Sequence, residues 1–144
     1  MPITRRELCG VIPALAFLPA ISQSGASPDA LQSTAFPFAD LKPRTSGAAT
    51  IRNITKGKTP TGEMVEVHET VLAPGGTPHP PHHHAHSEFW LIREGNVEIT
   101  INGTPHRIGP GSAAFAASND EHGIKNIGTE PASYFVVAIG PMKG

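Results

Sequence analysis

"HPPHHHAHSEFWLIREG" runs from His79 to Gly95 and holds five of the chain's eight histidines. An imidazole-rich tract beside a glutamate points to metal binding, and spacing decides which side chains take part. In extended backbone, residues two apart face the same side. His82 and His84 then point together, Glu88 shares their parity, and His83 points away. Two imidazoles and a carboxylate with open positions suit one divalent transition metal: manganese, iron, nickel, copper or zinc. A fourth ligand has to come from elsewhere. His122, on a later strand candidate in "NDEHGIKN", is the natural one.

Around this tract the chain reads as short strands. "GEMVEVHETVL" sets Val65 and Val67 against Glu66 and His68, and "NVEITING" sets Val97, Ile99 and Ile101 against Glu98 and Thr100. Such alternation marks half-buried strands. Asn102-Gly103 is a strong hairpin signal, because both turn positions tolerate positive φ. "PHRIG", "SAAFAAS", "HGIKNIG" and "SYFVVAIG" follow, each bounded by Gly, Pro or Asn. Roughly eight strands and no helical periodicity from Ala48 onward predict an all-β antiparallel sandwich or barrel.

The tract also fits a longer pattern. Gly76, His82, His84, Glu88 and Gly95 match G-x5-H-x-H-x3-E-x6-G at every fixed position, so the segment resembles the first cupin motif. Gly111, His122 and Asn126 match the second, G-x5-P-x-G-x2-H-x3-N, while Ala117 and Asn119 replace its Pro and its second Gly. Fifteen residues separate Gly95 from Gly111, the distance of a small single-domain cupin. The resemblance covers roughly Thr50 to Gly140. It implies a jelly-roll β-barrel with an internal metal held by His82, His84, Glu88 and His122, and it implies a homodimer.

Composition bounds the rest. The chain has 144 residues, room for one domain. A net charge of -1, with no basic run past the N-terminus, argues against a nucleic-acid partner. The single cysteine, Cys9, excludes a disulfide and a thiolate zinc site, and His86-Ser87-Glu88 lacks the cysteine pair a zinc deaminase needs. Arg5 and Arg6 precede an apolar run, Gly10 to Ile21, too short for a membrane span of about 20 residues. Residues 1–26 read as a secretory signal of twin-arginine type, cleaved after Ala26, that sends the protein to the periplasm. Residues 27–47 read as an extended N-terminal arm, and 48–144 as the barrel domain.

Parity assigns the remaining side chains. Trp90 and Ile92 point into the barrel with Glu88. Trp90, His86 and Phe115 are the candidate substrate contacts, Phe115 and Phe135 being core or pocket wall. His86 shares the ligands' parity in a regular strand, and a turn there releases it. His79 belongs at the barrel mouth, while His68 and His106 read as exposed strand positions. Asn126 orients the second-motif turn by hydrogen bonding.

Three imidazoles and one carboxylate leave a divalent ion positive and coordinatively open, able to act as Lewis acid or redox centre. The first expectation is an exported metal-dependent enzyme of dioxygenase, oxidase or decarboxylase type, acting on a small organic acid or phenolic, with Glu88 as a detachable ligand and base. The second is a non-catalytic module that binds metal or a small ligand, since no Lys or Arg beside the motifs has inward parity. Sugar isomerase or epimerase action ranks last, because sugar phosphates need cationic groups.

Overall fold

The computed structural model describes residues 29–142. The expected signal segment, its expected cleavage point and Cys9 lie outside the described residues. A short 3₁₀ turn, Phe38–Asp40, precedes nine strands: β1 (Pro43–Ser46), β2 (Ala49–Lys58), β3 (Met64–Leu72), β4 (Ser87–Glu94), β5 (Val97–Ile101), β6 (Thr104–Ile108), β7 (Ala113–Ala116), β8 (His122–Asn126) and β9 (Ala132–Ile139). Pairing is antiparallel throughout. A six-stranded sheet runs β1-β2-β3-β9-β4-β7, and a three-stranded sheet runs β6-β5-β8. This is the jelly-roll arrangement. Among the described residues no helix is long and apolar enough to cross a membrane.

The strands predicted from alternation all form, and Asn102 and Gly103 take positive φ of 48° and 79° between β5 and β6. The sheet starts earlier than expected. Residues 43–46 were assigned to the arm, yet Pro43–Ser46 pairs with Ala49–Arg52 as the edge strand β1. A four-residue strand with a Pro and no apolar side chain carries little alternation, so its pairing was invisible in the sequence.

Register sorts the inward side chains of the six-stranded sheet into rows. Leu72 pairs with Ala132, while Ile51, Thr70, Tyr134 and Ile92 line up on successive partners. His68, Val136, Trp90 and Ala114 form the next row, then Glu66, Ala138, Glu88 and Ala116. The apolar rows meet Val97, Ile99 and Ile124 of the facing sheet in one buried cluster. Full burial of a side chain such as Leu72 or Ile99 stabilises by about 1.5–3 kcal/mol. The barrel is therefore apolar at one end and polar at the other.

That polarity gradient overturns two assignments. His68 is not an exposed strand position: it faces the barrel interior, while Val65 and Val67 face outward. Period-two alternation finds the two faces of a strand but not which one is inside when the inner face borders a wet cavity. Phe115 is not pocket wall. It pairs with outward Phe89, its ring centroid 4.6 Å from that of Phe89, and it is 46% exposed. Ala114 and Ala116 take the inward positions of β7. Phe135 is outward for the same reason, opposite Glu69 and Leu91.

Candidate metal centre

The ligand-bearing segment between β3 and β4 is not a strand. It bends at Ala85 and His86, and β4 starts only at Ser87. Its course is set by main-chain hydrogen bonds to β8 and the turn before it. His82 and His122 exchange both, His82 N–H to His122 O at 3.0 Å and His122 N–H to His82 O at 2.8 Å. Asn119 N–H donates to His84 O at 2.8 Å, and Asn126 N–H to Gly76 O at 2.9 Å. The Asn126 side chain, fully buried, closes the base of the segment. Its Nδ2 donates among the carbonyls of Leu72, Ala73 and Glu130, and its Oδ1 accepts from Gly128 N–H.

Two motif positions have steric reasons. Gly95 has φ +77°, and a Cβ there meets Ala132 Cα and Cβ at 2.7 Å. Asn119, standing where the pattern has Gly, has φ +66°, a conformation Asn tolerates better than most side chains. The substitution preserves the turn before His122.

This scaffold brings His82, His84 and His122 together. One ligand atom from each lies within 4.8 Å of the others, and His84, His86 and Glu88 form an overlapping second group. Glu88 Oε1 is 3.1 Å from His84 Nε2 and 3.2 Å from His86 Nε2, and Glu88 Oε2 is 3.8 Å from His122 Nε2. His86 stacks on His84 with ring centroids 3.4 Å apart. The bend frees His86 from strand parity, and it reaches Glu88 from outside the cavity. His83 is exposed and turned away. His79 packs its ring edge-on against His82 at the rim, centroids 4.2 Å apart.

The donor set fits a divalent ion. His84 Nδ1 lies 2.9 Å from His86 O, and His122 Nδ1 lies 2.8 Å from Asp120 O. A carbonyl accepts only, so each Nδ1 carries the proton and each Nε2 presents its lone pair, as backbone acceptors commonly arrange for metal histidines. Among the described residues, His82 Nδ1 and His122 Nε2 are the buried side-chain polar atoms without a hydrogen-bond partner. A buried unsatisfied polar atom costs about 1–3 kcal/mol, a penalty a bound ion removes. Metal–nitrogen bonds of about 2.1 Å need donors about 3–4 Å apart, a small contraction from the present spread.

Burial disfavours the charged forms of His82 and His122. Burial, reinforced by the neighbouring His79, His122 and His84, pushes His82 down to about 4, against the opposing pull of Glu88. Burial also lowers His122, which the Asp120 carbonyl and Glu88 partly offset.

His122 and Glu88 border a cavity of about 190 Å³ whose walls also include Trp90, Tyr134, Thr70, His68 and Arg44. Trp90 is 2% exposed and sets its ring edge-on to His122 at 5.3 Å. Tyr134 is buried, and desolvation raises its hydroxyl pKa, so it stays protonated. Three cavity residues were missed from sequence. His68 was assigned to the wrong face, Tyr134 belongs to neither motif, and Arg44 was placed in the arm. No Lys or Arg beside the motifs was expected to face inward; Arg44, far from both motifs and opposite inward Ile51, brings a cation to the cavity from β1.

Residues 68–138 match the family model described as the Cupin domain. A stretch of 43 residues, 30% of this chain, is 44% identical to dimethylsulfoniopropionate lyase DddW of Ruegeria pomeroyi; it spans 28% of that protein. The fold is similar to the cupin domain of Schizosaccharomyces pombe Cnp3, with TM-score 0.65 and 15% identity over 75% of this chain and 74% of that one. It is also similar to a predicted oxalate decarboxylase from Thermotoga maritima, with TM-score 0.64 and 18% identity over 75% of this chain and 100% of that one. The family match and the shared fold support a small cupin.

Proposed function

We propose that this small cupin is a metal-dependent enzyme acting on a small organic acid. The observation that carries the reading is the clustering of His82, His84, His122 and Glu88, the last two lining a cavity, with two imidazole nitrogens left buried and unpartnered. His82, His84 and His122 would hold the ion, with Glu88 as the charged ligand. A bound divalent ion supplies Lewis-acid or redox chemistry. The chain supplies the rest. Trp90 and Tyr134 shape the wall, and the Tyr134 hydroxyl donates hydrogen bonds without ionising. Glu88 lies 3.2 Å from His86 Nε2, which could donate to it and steady it as a base. Both lyase and oxidative reactions use such a site. The local identity to a lyase supports the first, and oxidative turnover is the second reading.

A turnover screen decides. Metal-loaded protein is tested against oxalate, diphenols, hydroxy acids and dimethylsulfoniopropionate, with oxygen uptake followed. Product formation without oxygen consumption indicates lyase chemistry. Metal-loaded protein inert towards all of them supports the binding module instead.

Two further proposals concern context. Export through residues 1–26 rests on the Arg5-Arg6 pair and the apolar run behind it. Fusion of those residues to a reporter tests it, and a reporter left in the cytoplasm contradicts it. Homodimer formation rests on the outer face of the six-stranded sheet, where Phe89, Leu91 and Phe115 are 38%, 44% and 46% exposed on adjacent strands. Sedimentation is expected to show a dimer that Phe115→Lys dissociates.

A further inference from the structure

Four arginines lie among the described residues, and three have carboxylate partners. Arg52 and Arg93 both reach Glu69, at 3.2 and 3.0 Å, and Arg107 reaches Glu98 at 3.0 Å. Arg44 has no ion-pair partner among the described residues, and it is the only Lys or Arg that lines the metal cavity. Register explains its position. It sits on β1 opposite Ile51, which lies opposite Thr70 on β3, so its side chain leaves the sheet on the inner face. His68, two residues from Thr70, shares that face one row away. Burial lowers the pKa of His68, and the Arg44 charge acts in the same direction, against Glu88 and Glu66. Both side chains line the same cavity. They stand on the six-stranded wall, across from His122 of the facing sheet.

We propose that Arg44 and His68 form a carboxylate-binding subsite on the wall facing His122, so that a short-chain organic acid bridges this subsite and the metal ligands. The inference rests on the proposed function and narrows its substrate class. A guanidinium at the mouth binds a carboxylate through two parallel hydrogen bonds, and His68 adds a donor beneath it. Size favours a short chain: the cavity of about 190 Å³ is smaller than the roughly 300–1,000 Å³ of sites for larger ligands. With Arg44 as the only Lys or Arg on the wall, this subsite favours a monovalent carboxylate over divalent phosphate.

Trp90 is the chain's only tryptophan and lines the cavity, so its fluorescence reports occupancy directly. Metal-loaded protein is titrated with propionate, propionamide and inorganic phosphate, with metal content measured on the same samples. Propionate is expected to give a saturable change that propionamide does not. Arg44→Gln should weaken propionate binding about 10- to 100-fold, the usual size for a lost charged hydrogen bond. Arg44→Lys should recover part of it, and His68→Leu should weaken it less than Arg44→Gln does. Arg107→Gln, on the exposed face of β6, should change nothing. Unaltered melting of Arg44→Gln excludes a folding defect. Propionate binding within twofold of the parent in Arg44→Gln, no propionate binding at all, or equally tight phosphate binding each overturns the subsite. Loss of stoichiometric metal with Arg44-dependent propionate binding intact would overturn the metal-enzyme reading and leave the subsite standing.

Discussion

Replacing Asn126 by Ala tests how the fold holds the candidate metal ligands in place. Asn126 is 0% exposed and joins three segments: the end of β3 through Leu72 O and Ala73 O, the β8–β9 turn through Glu130 O and Gly128 N–H, and β8 itself. An amide nitrogen has two protons, so two of the three carbonyls, at 3.1, 3.2 and 2.8 Å, are satisfied at a time. Two donated bonds and one accepted bond, at about 1 kcal/mol each, set a floor of about 3 kcal/mol; carbonyls left buried without a partner raise the loss towards about 5 kcal/mol. Urea denaturation of metal-free protein measures it. Asn126→Asp is expected to be at least as damaging at neutral pH, because it aims a carboxylate at three carbonyl oxygens. The segment carrying His82 and His84 starts at the residues Asn126 holds, so metal affinity should fall with stability. A loss below about 0.5 kcal/mol, the ordinary range of surface substitutions, would refute the argument.

Gly95→Ala forces a side chain into positive φ, worth about 1–2 kcal/mol, and onto the Ala132 backbone; a denaturation loss above about 2 kcal/mol is expected. Acid should destabilise metal-free protein before its carboxylates titrate. The pKa values of His82, His122 and His68 are lowered in the folded state, so the unfolded chain binds more protons below its histidine pKa of about 6.5. Their contribution is full above that pH and declines below it, for His82 until about 4. The urea midpoint should therefore be lower at pH 5 than at pH 7.5, and His82→Gln should shrink the difference. An equal or higher midpoint at pH 5 contradicts the neutral, buried histidines.

The proximity of the candidate ligands was legible because their pattern is local. His82, His84 and Glu88 lie within seven residues, and His122 follows from a spacing that survives the change of Gly to Asn119. The route by which they converge was not legible. Parity in an extended strand predicts the convergence, whereas a bent segment pinned by hydrogen bonds to β8 produces it. Side chains facing the cavity from other strands were harder to place. His68 alternates correctly with Val67 yet faces the polar end of the barrel, so hydrophobic alternation assigned it to the wrong side. Phe115 was drawn inward by its apolarity, although an outer sheet face with Phe89 and Leu91 accommodates it. Arg44 became visible only once β1 was paired with β2. Pairing between strands is a property of tertiary register, and a short edge strand carries little of it in its own residues.

The most direct test of the central claim is elemental analysis of the protein purified from its own host, because a foreign host loads whichever ion is abundant. The account predicts close to one divalent transition-metal ion per chain, lost when His82 and His122 are both replaced by Ala while the barrel remains folded. Protein purified without such an ion, or a double variant that retains it, would contradict the assignment of the site.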